Sequence, residues 1–281
     1  MMDLWHSLAG ALPFEWARYV FMQNALLAVL LISPLFALLG CMVVQNQMSF
    51  FSEAVGHAAL TGIAVGVLVG LGDPLWSMLA VAILLALGVS AMRRWSAAST
   101  DTVIGLTMAF TVALGVALLS RGGGFAKYSR FLVGDVLTIT PHEIVRLVVA
   151  LGVVLAVWIF GFNRLFFVSL NRSLARSRGM PVWMVETGFA VIVALAVTVS
   201  IQWVGLLVIN SLLILPAATA RNLARDVPRY VGMAVALSVF SGVVGLVVSF
   251  YAGTATGATM VLVAMACFVA SLPVRLAGFR I

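Results

Sequence analysis

The sequence predicts an all-α fold, a polytopic bundle of eight or nine transmembrane helices in one domain spanning residues 1–281. Three observations carry that reading. The chain is 63% hydrophobic and only 9% charged, where a soluble domain carries about 25% charge. Its mean hydropathy is +1.18, and its apolar residues come in runs long enough to cross a bilayer. Its arginines sit in short clusters between those runs, the positive-inside pattern of membrane proteins. A formal charge of +7 distributed in this way does not read as a nucleic-acid footprint. No Pro/Gly/Ser-rich linker marks off a separate soluble domain. Cys41 and Cys267 both lie within apolar runs and read as small core residues rather than a disulfide or a metal pair.

The elements follow in order. Met1 to Phe14 has no basic n-region and contains Asp3 and His6, unlike a signal peptide. Residues 14–22 mix Phe14, Trp16 and Tyr19 with Glu15 and Arg18. That mixture suits the headgroup layer, so the segment reads as an interfacial helix. Asn24 to Gln45 is the first span, with Pro34 inside it, and Phe50 to Leu71 is the second. Gly72-Asp73-Pro74 is a turn. Leu75 to Met92 is the third span, closed by Arg93 and Arg94. Ser99-Thr100-Asp101 reads as the start of a helix, and Thr102 to Ser120 is the fourth span. A less apolar stretch from Arg121 to Ile139 holds Lys127, Arg130 and Asp135. Thr140-Pro141-His142-Glu143 then gives a cap, a proline in the first turn and an acid, opening a fifth span. Within the polar stretch Arg164 to Pro181, Ser169 to Arg178 predicts a short basic helix ended by Gly179 and Pro181. The last four spans begin near Trp183, Val204, Val231 and Ala258. Placing the arginine clusters in the cytoplasm gives nine spans with the N-terminus outside. Arg121, Lys127 and Arg130 are the one conflict.

The second span carries the most distinctive pattern. Glu53, His57 and Thr61 fall four apart and share one helix face. Ala54, Ala58, Gly62, Gly66 and Gly70 make an adjacent stripe of small residues, which lets a second helix approach closely. A carboxylate and an imidazole within a span are expensive and point to function. A hard oxygen with an imidazole nitrogen suits zinc, manganese or iron. Two ligands are too few for a closed structural site but suit an ion that must leave again. The alternative is a Glu–His pair that neutralises itself or bonds a neighbouring helix.

Other chemistry is absent or weaker. The order Glu-x-x-x-His is not the His-Glu-x-x-His of a metalloprotease, and no Gly-x-Ser-x-Gly elbow occurs. The only lysine, Lys127, follows Ala126, so the chain has no P-loop and any ATPase is another polypeptide. Asp101 reads as a cap or a ligand, and Glu143 as a first-turn acid. Asp135 and His142 are placed where an arriving ion would meet them. Glu186 and Asn210 read as helix-packing hydrogen bonds. The basic stretch Arg172 to Arg178 reads as a positive-inside loop or as a docking helix for a cytoplasmic partner.

Four stretches carry a resemblance: Ser52 to Gly66, Asp101 to Ser120, Leu170 to Val182, and Val204 to Ala224 with its LLILPAATAR run. With Phe14 to Ala28 they resemble, over nearly the whole chain, the membrane permeases of bacterial metal-uptake ABC transporters, which import zinc, manganese or iron. The resemblance implies a cobalamin-importer-like permease architecture in the inner membrane. It implies a homodimer above two cytoplasmic P-loop ATPase subunits, and an external protein that delivers the metal ion. It carries the acid and histidine of the family's second helix onto Glu53 and His57. The coupling segment falls on 168–181, with Leu170, Asn171, Arg172, Leu174, Ala175, Arg176 and Gly179. Many members have Asp where Glu53 stands. No cofactor is expected to be bound permanently: the metal ion is cargo, and ATP belongs to the partner. A permease for a metal chelate or cobalamin is the near alternative. An intramembrane enzyme or a proton-coupled transporter is the distant one.

Overall fold

The structure, a computed structural model, describes residues 5–6, 13–71, 73–122 and 136–276. Asp135, Lys127 and Arg130 lie outside them, as does Gly72 of the predicted turn. The described residues contain nine helices long and apolar enough to cross a membrane, which favours nine spans over eight. They are α1 (Val20–Gln45), α2 (Phe51–Val69), α3 (Leu75–Trp95), α4 (Thr100–Gly122), α5 (Pro141–Leu170), α7 (Val182–Val204), α8 (Leu206–Leu223), α9 (Val227–Ala252) and α10 (Thr256–Leu276). The short α6 (Arg172–Ser177) lies between two of them.

Local sequence explains the ends of these helices. Ser99 Oγ accepts from Thr102 N at 3.2 Å and caps α4, so Asp101 is a first-turn acid rather than the cap. Glu143 reaches back to Thr140 N at 2.7 Å and to Thr140 Oγ1 at 2.8 Å. That closes the start of α5 in the manner of a capping box. Asp226 accepts from Arg229 N at 2.9 Å at the start of α9, with Pro228 in its first turn. The segment 14–22 differs from the single interfacial helix expected. It is a 3-10 turn, Glu15–Arg18, and from Val20 onward the chain already belongs to α1. Trp16 and Ala17 are buried, and Gln23 Nε2 donates to Ala17 O at 2.7 Å. Phe14, Tyr19, Val20 and Phe21 remain exposed around the turn, so the difference lies in the backbone form and not in the apolar surface offered to the headgroup layer.

The chain divides into two compact units. In one, comprising residues 42–133 and 156–202, α2 packs on both α3 and α4. In the other, comprising residues 1–41, 134–155 and 203–281, α8, α9 and α10 pack on one another. There α1 meets α9 through small residues. Ser238 Oγ donates to Ser33 O at 3.0 Å, and Gly242 lies against Val29 and Ser33. In a bilayer the lipid is as apolar as the side chains, so close packing and interhelical hydrogen bonds hold helices together. Cys41 is buried and free, and Cys267 is half-buried and free, as expected of core residues.

Candidate functional site

Glu53 lies in the first turn of α2, where the helix dipole favours a carboxylate. His57 follows one turn later. Its Nε2 stands 4.0 Å from Glu53 Oε1, with the two side chains 28% and 40% exposed. Their neighbours Ser52, Ala54, Val55, Gly56 and Ala58 are buried. The pair therefore opens on a face that the described residues leave partly uncovered. That face closes one turn further on. Thr61 is buried, and its Oγ1 donates to Thr111 O on α4 at 2.5 Å. Thr61 thus pins α2 to α4 rather than extending the ligand row.

Of the other candidates, Asp135 lies outside the described residues. Asp101 is exposed at the start of α4 and His142 at the start of α5. Among the described residues no three His, Cys, Asp or Glu side chains converge as a metal-binding group. The described residues thus offer two donors together, an oxygen and a nitrogen, on a partly open surface. That set suits weak, reversible coordination of a transition-metal ion and would need donors from elsewhere for tight binding.

The small stripe divides by role. Ala54 and Ala58 are fully buried. A Cβ on Gly62 would come within 2.5 Å of Met78 Cα, and one on Gly66 would collide with Ser77 Oγ. These two glycines bring α2 against α3. Gly70 corrects the expectation of a packing residue. It caps α2 in the left-handed conformation, φ 77°, with nothing near its missing Cβ. The helix has ended there, so position 70 serves the turn.

The segment predicted to couple to the ATPase has a defined local structure. Asn171 Oδ1 accepts from Leu174 N at 3.0 Å and caps α6. Gly179, at φ 73°, turns the chain out of it. Ala175 is fully buried against Val168 and Val182, with Phe167, Met180 and Val185 around them, so it anchors α6 rather than facing outward. Leu174, Arg176 and Arg172 are exposed. Leu170 ends α5.

Glu186 has a larger role than the packing hydrogen bond expected of it. Its Oε1 stands 2.7 Å from Arg172 Nε, and its Oε2 stands 3.6 Å from Arg93. The closer contact is an ion pair without hydrogen-bond alignment. A guanidinium of Arg93 also approaches Met48 Sδ at 3.7 Å. One carboxylate therefore links α6, the end of α3 and the start of α7. Glu186 is the only acid between Glu143 and Asp226, a stretch with seven arginines. That imbalance was the available signal. Gln45, Asn46, Gln47, Thr100, Ser169, Asn171 and Arg172 line one polar cleft of about 380 Å³. Segments that the arginine pattern assigns to the cytoplasm thus gather at one end of their unit.

Known proteins match this arrangement along most of its length. Residues 18–275 match the ABC 3 transport family. The chain is 30% identical over 253 residues to the high-affinity zinc uptake system membrane protein ZnuB of Haemophilus influenzae, covering 88% of this chain and 95% of that one. It is 27% identical over 263 residues to a probable iron transport system membrane protein of the same organism, covering 92% and 97%. It is also similar to the solved structure of PsaBC from Streptococcus pneumoniae in complex with Fab. There the TM-score is 0.77 at 25% identity, covering 96% of this chain and 95% of that one. A match that begins before the first span and ends within the last leaves no span outside it: the chain belongs to the ABC 3 transport family.

Proposed function

We propose that this chain is the membrane permease of an ATP-binding-cassette importer that carries a divalent transition-metal ion, zinc, manganese or iron, across the bacterial inner membrane. The observation that carries the reading is the Glu53–His57 pair, part-exposed within a span. It stands in a chain of the ABC 3 family whose relatives are named for zinc and iron transport. Ionisable groups in a span mark an ion path when they face a cavity or a partner.

The Glu53–His57 pair suits a site shared with a second copy, in which two carboxylates and two imidazoles would surround one ion. An external binding protein would release the ion to this site. The chain lacks a Gly-Lys-Ser/Thr loop, so ATP would be hydrolysed by separate cytoplasmic subunits. Those subunits would meet the exposed face of α6, with Leu174, Arg172 and Arg176. Ala175 in its small core and Arg172 on Glu186 would pass the movement of α6 to α7 and α3. Access to the ion would alternate by rigid displacement of packed helices.

The test is reconstitution with the cognate ATPase and binding protein, followed by uptake of Zn²⁺, Mn²⁺ and Fe²⁺. One ion should drive both uptake and ATP hydrolysis. Glu53→Gln and His57→Ala should each lower uptake at least roughly tenfold while the complex still assembles. Unchanged uptake in both variants would remove the pair from the path. Uptake of a chelate alone would leave the permease reading and end the free-ion reading.

A further inference from the structure

A second polar site lies away from the Glu53–His57 pair. Ser90, Arg93 and Arg94 at the end of α3, Arg172 and Arg176 on α6, and Pro181 to Met184 with Glu186 at the start of α7 enclose a pocket of about 590 Å³. Four guanidinium groups face one carboxylate. Glu186 pairs with Arg93 and Arg172, and among the described residues neither Arg94 nor Arg176 pairs with an acid. The long helix α7 begins in the pocket. Val182 N is bonded to Met180 O at 2.8 Å, and the next two backbone N–H groups, of Trp183 and Met184, precede the first possible intrahelical bond. Unpaired guanidiniums and a helix N-terminus together select an anion with several oxygens, such as a phosphate. Two apolar side chains of the lining are exposed, Trp183 at 42% and Met184 at 65%, and Trp95, next to Arg94 in the chain, is 83% exposed. Arg94 lies over the Trp183 ring at 5.8 Å. Tryptophans beside arginines at the ends of spans sit at the headgroup layer of a bilayer.

We propose that this pocket binds a phosphate-bearing anion and that its occupant is the headgroup of an anionic phospholipid. The inference goes beyond transport and does not depend on which ion the permease carries. The phosphate lies between Arg94 and Arg176 at the start of α7, and the acyl chains leave past Trp183 and Met184 into the bilayer. A lipid held there touches α3, α6 and α7 together, so the lipid composition of the membrane sets how firmly the coupling segment is held to the spans.

The experiment uses the purified full-length chain in neutral detergent. Binding of cardiolipin, phosphatidylglycerol and phosphatidylcholine is counted by native mass spectrometry, with inorganic pyrophosphate as the lipid-free probe. The wild-type chain should prefer the anionic lipids. Arg94→Gln with Arg176→Gln should weaken their binding about thirtyfold, and Arg94→Lys with Arg176→Lys should restore most of it. A Gln variant that keeps the wild-type preference overturns the site. Stabilisation by pyrophosphate with no anionic-lipid preference assigns the pocket to free phosphate and overturns the lipid. Indifference to both, with capture of the cognate ATPase lost in the Gln variant, assigns it to an acidic protein surface and also overturns the lipid. A readout independent of the arginine variants is quenching by brominated lipid. The fluorescence that Trp183→Phe removes should be quenched more by brominated phosphatidylglycerol than by brominated phosphatidylcholine, and equal quenching counts against the proposal.

Discussion

Glu186→Gln tests the ion-pair hub most directly. The carboxylate is 18% exposed and pairs with Arg172, which is 49% exposed, and Arg93, which is 11% exposed. The two partners respond differently. Arg172 can turn into water, so losing its pair costs about 0.5 kcal/mol. Arg93 is held in a largely enclosed site and is left without a counter-charge. Full burial would cost about 3–5 kcal/mol. Its 3.6 Å separation and residual exposure bring the figure to about 2 kcal/mol. The sum, about 2.5 kcal/mol, corresponds to several degrees in the melting temperature of the purified chain. Arg172→Gln should lower it far less. In a double-mutant cycle, Arg172→Gln should add almost nothing once Glu186→Gln is present. In the reconstituted complex the same substitution should weaken stimulation of ATP hydrolysis by loaded binding protein. A Glu186→Gln chain that melts with wild type, or full additivity with Arg172→Gln, would show that the carboxylate holds nothing together.

Two further predictions concern the second span. Gly62→Val places side-chain atoms on the Met78 backbone and should destabilise the chain by about 3 kcal/mol or prevent its folding. Gly70→Ala meets open space but must adopt φ 77°, so it should cost only about 1 kcal/mol. Comparable melting temperatures for these two variants would refute the division between packing and turn glycines. Thr61→Val removes the bond to Thr111 O and leaves that carbonyl only its bond within the α4 ladder. Its expected cost is about 1 kcal/mol, read by thermal unfolding, with metal uptake per folded molecule unchanged. A selective loss of uptake would instead make Thr61 part of the ion path.

The class of protein and most of its segmentation were legible from composition and order alone. Transfer of a helix into hydrocarbon depends on the summed apolarity of about 20 neighbouring residues, which is a local property of the chain. Caps are local too: Thr140 with Glu143 closes over three residues and its sequence announces it, whereas Asn171 with Leu174, equally local, lies inside the stretch expected to be helical from Ser169. The Glu53–His57 spacing was equally plain, because residues four apart on a helix are neighbours whatever surrounds them. Other features had no local signature. Thr61 shares the helix face of Glu53 and His57, yet its partner is Thr111, 50 residues away. Gly62 and Gly70 belong to one stripe, yet one meets Met78 and the other a turn. Glu186 finds Arg93 and Arg172 across separate helices, and Arg94 and Arg176 gather beside the start of α7. Such contacts depend on how helices pack, which the pattern along any one helix does not encode. The pattern says that a segment spans the membrane and which residues share its face. Packing decides what each face meets.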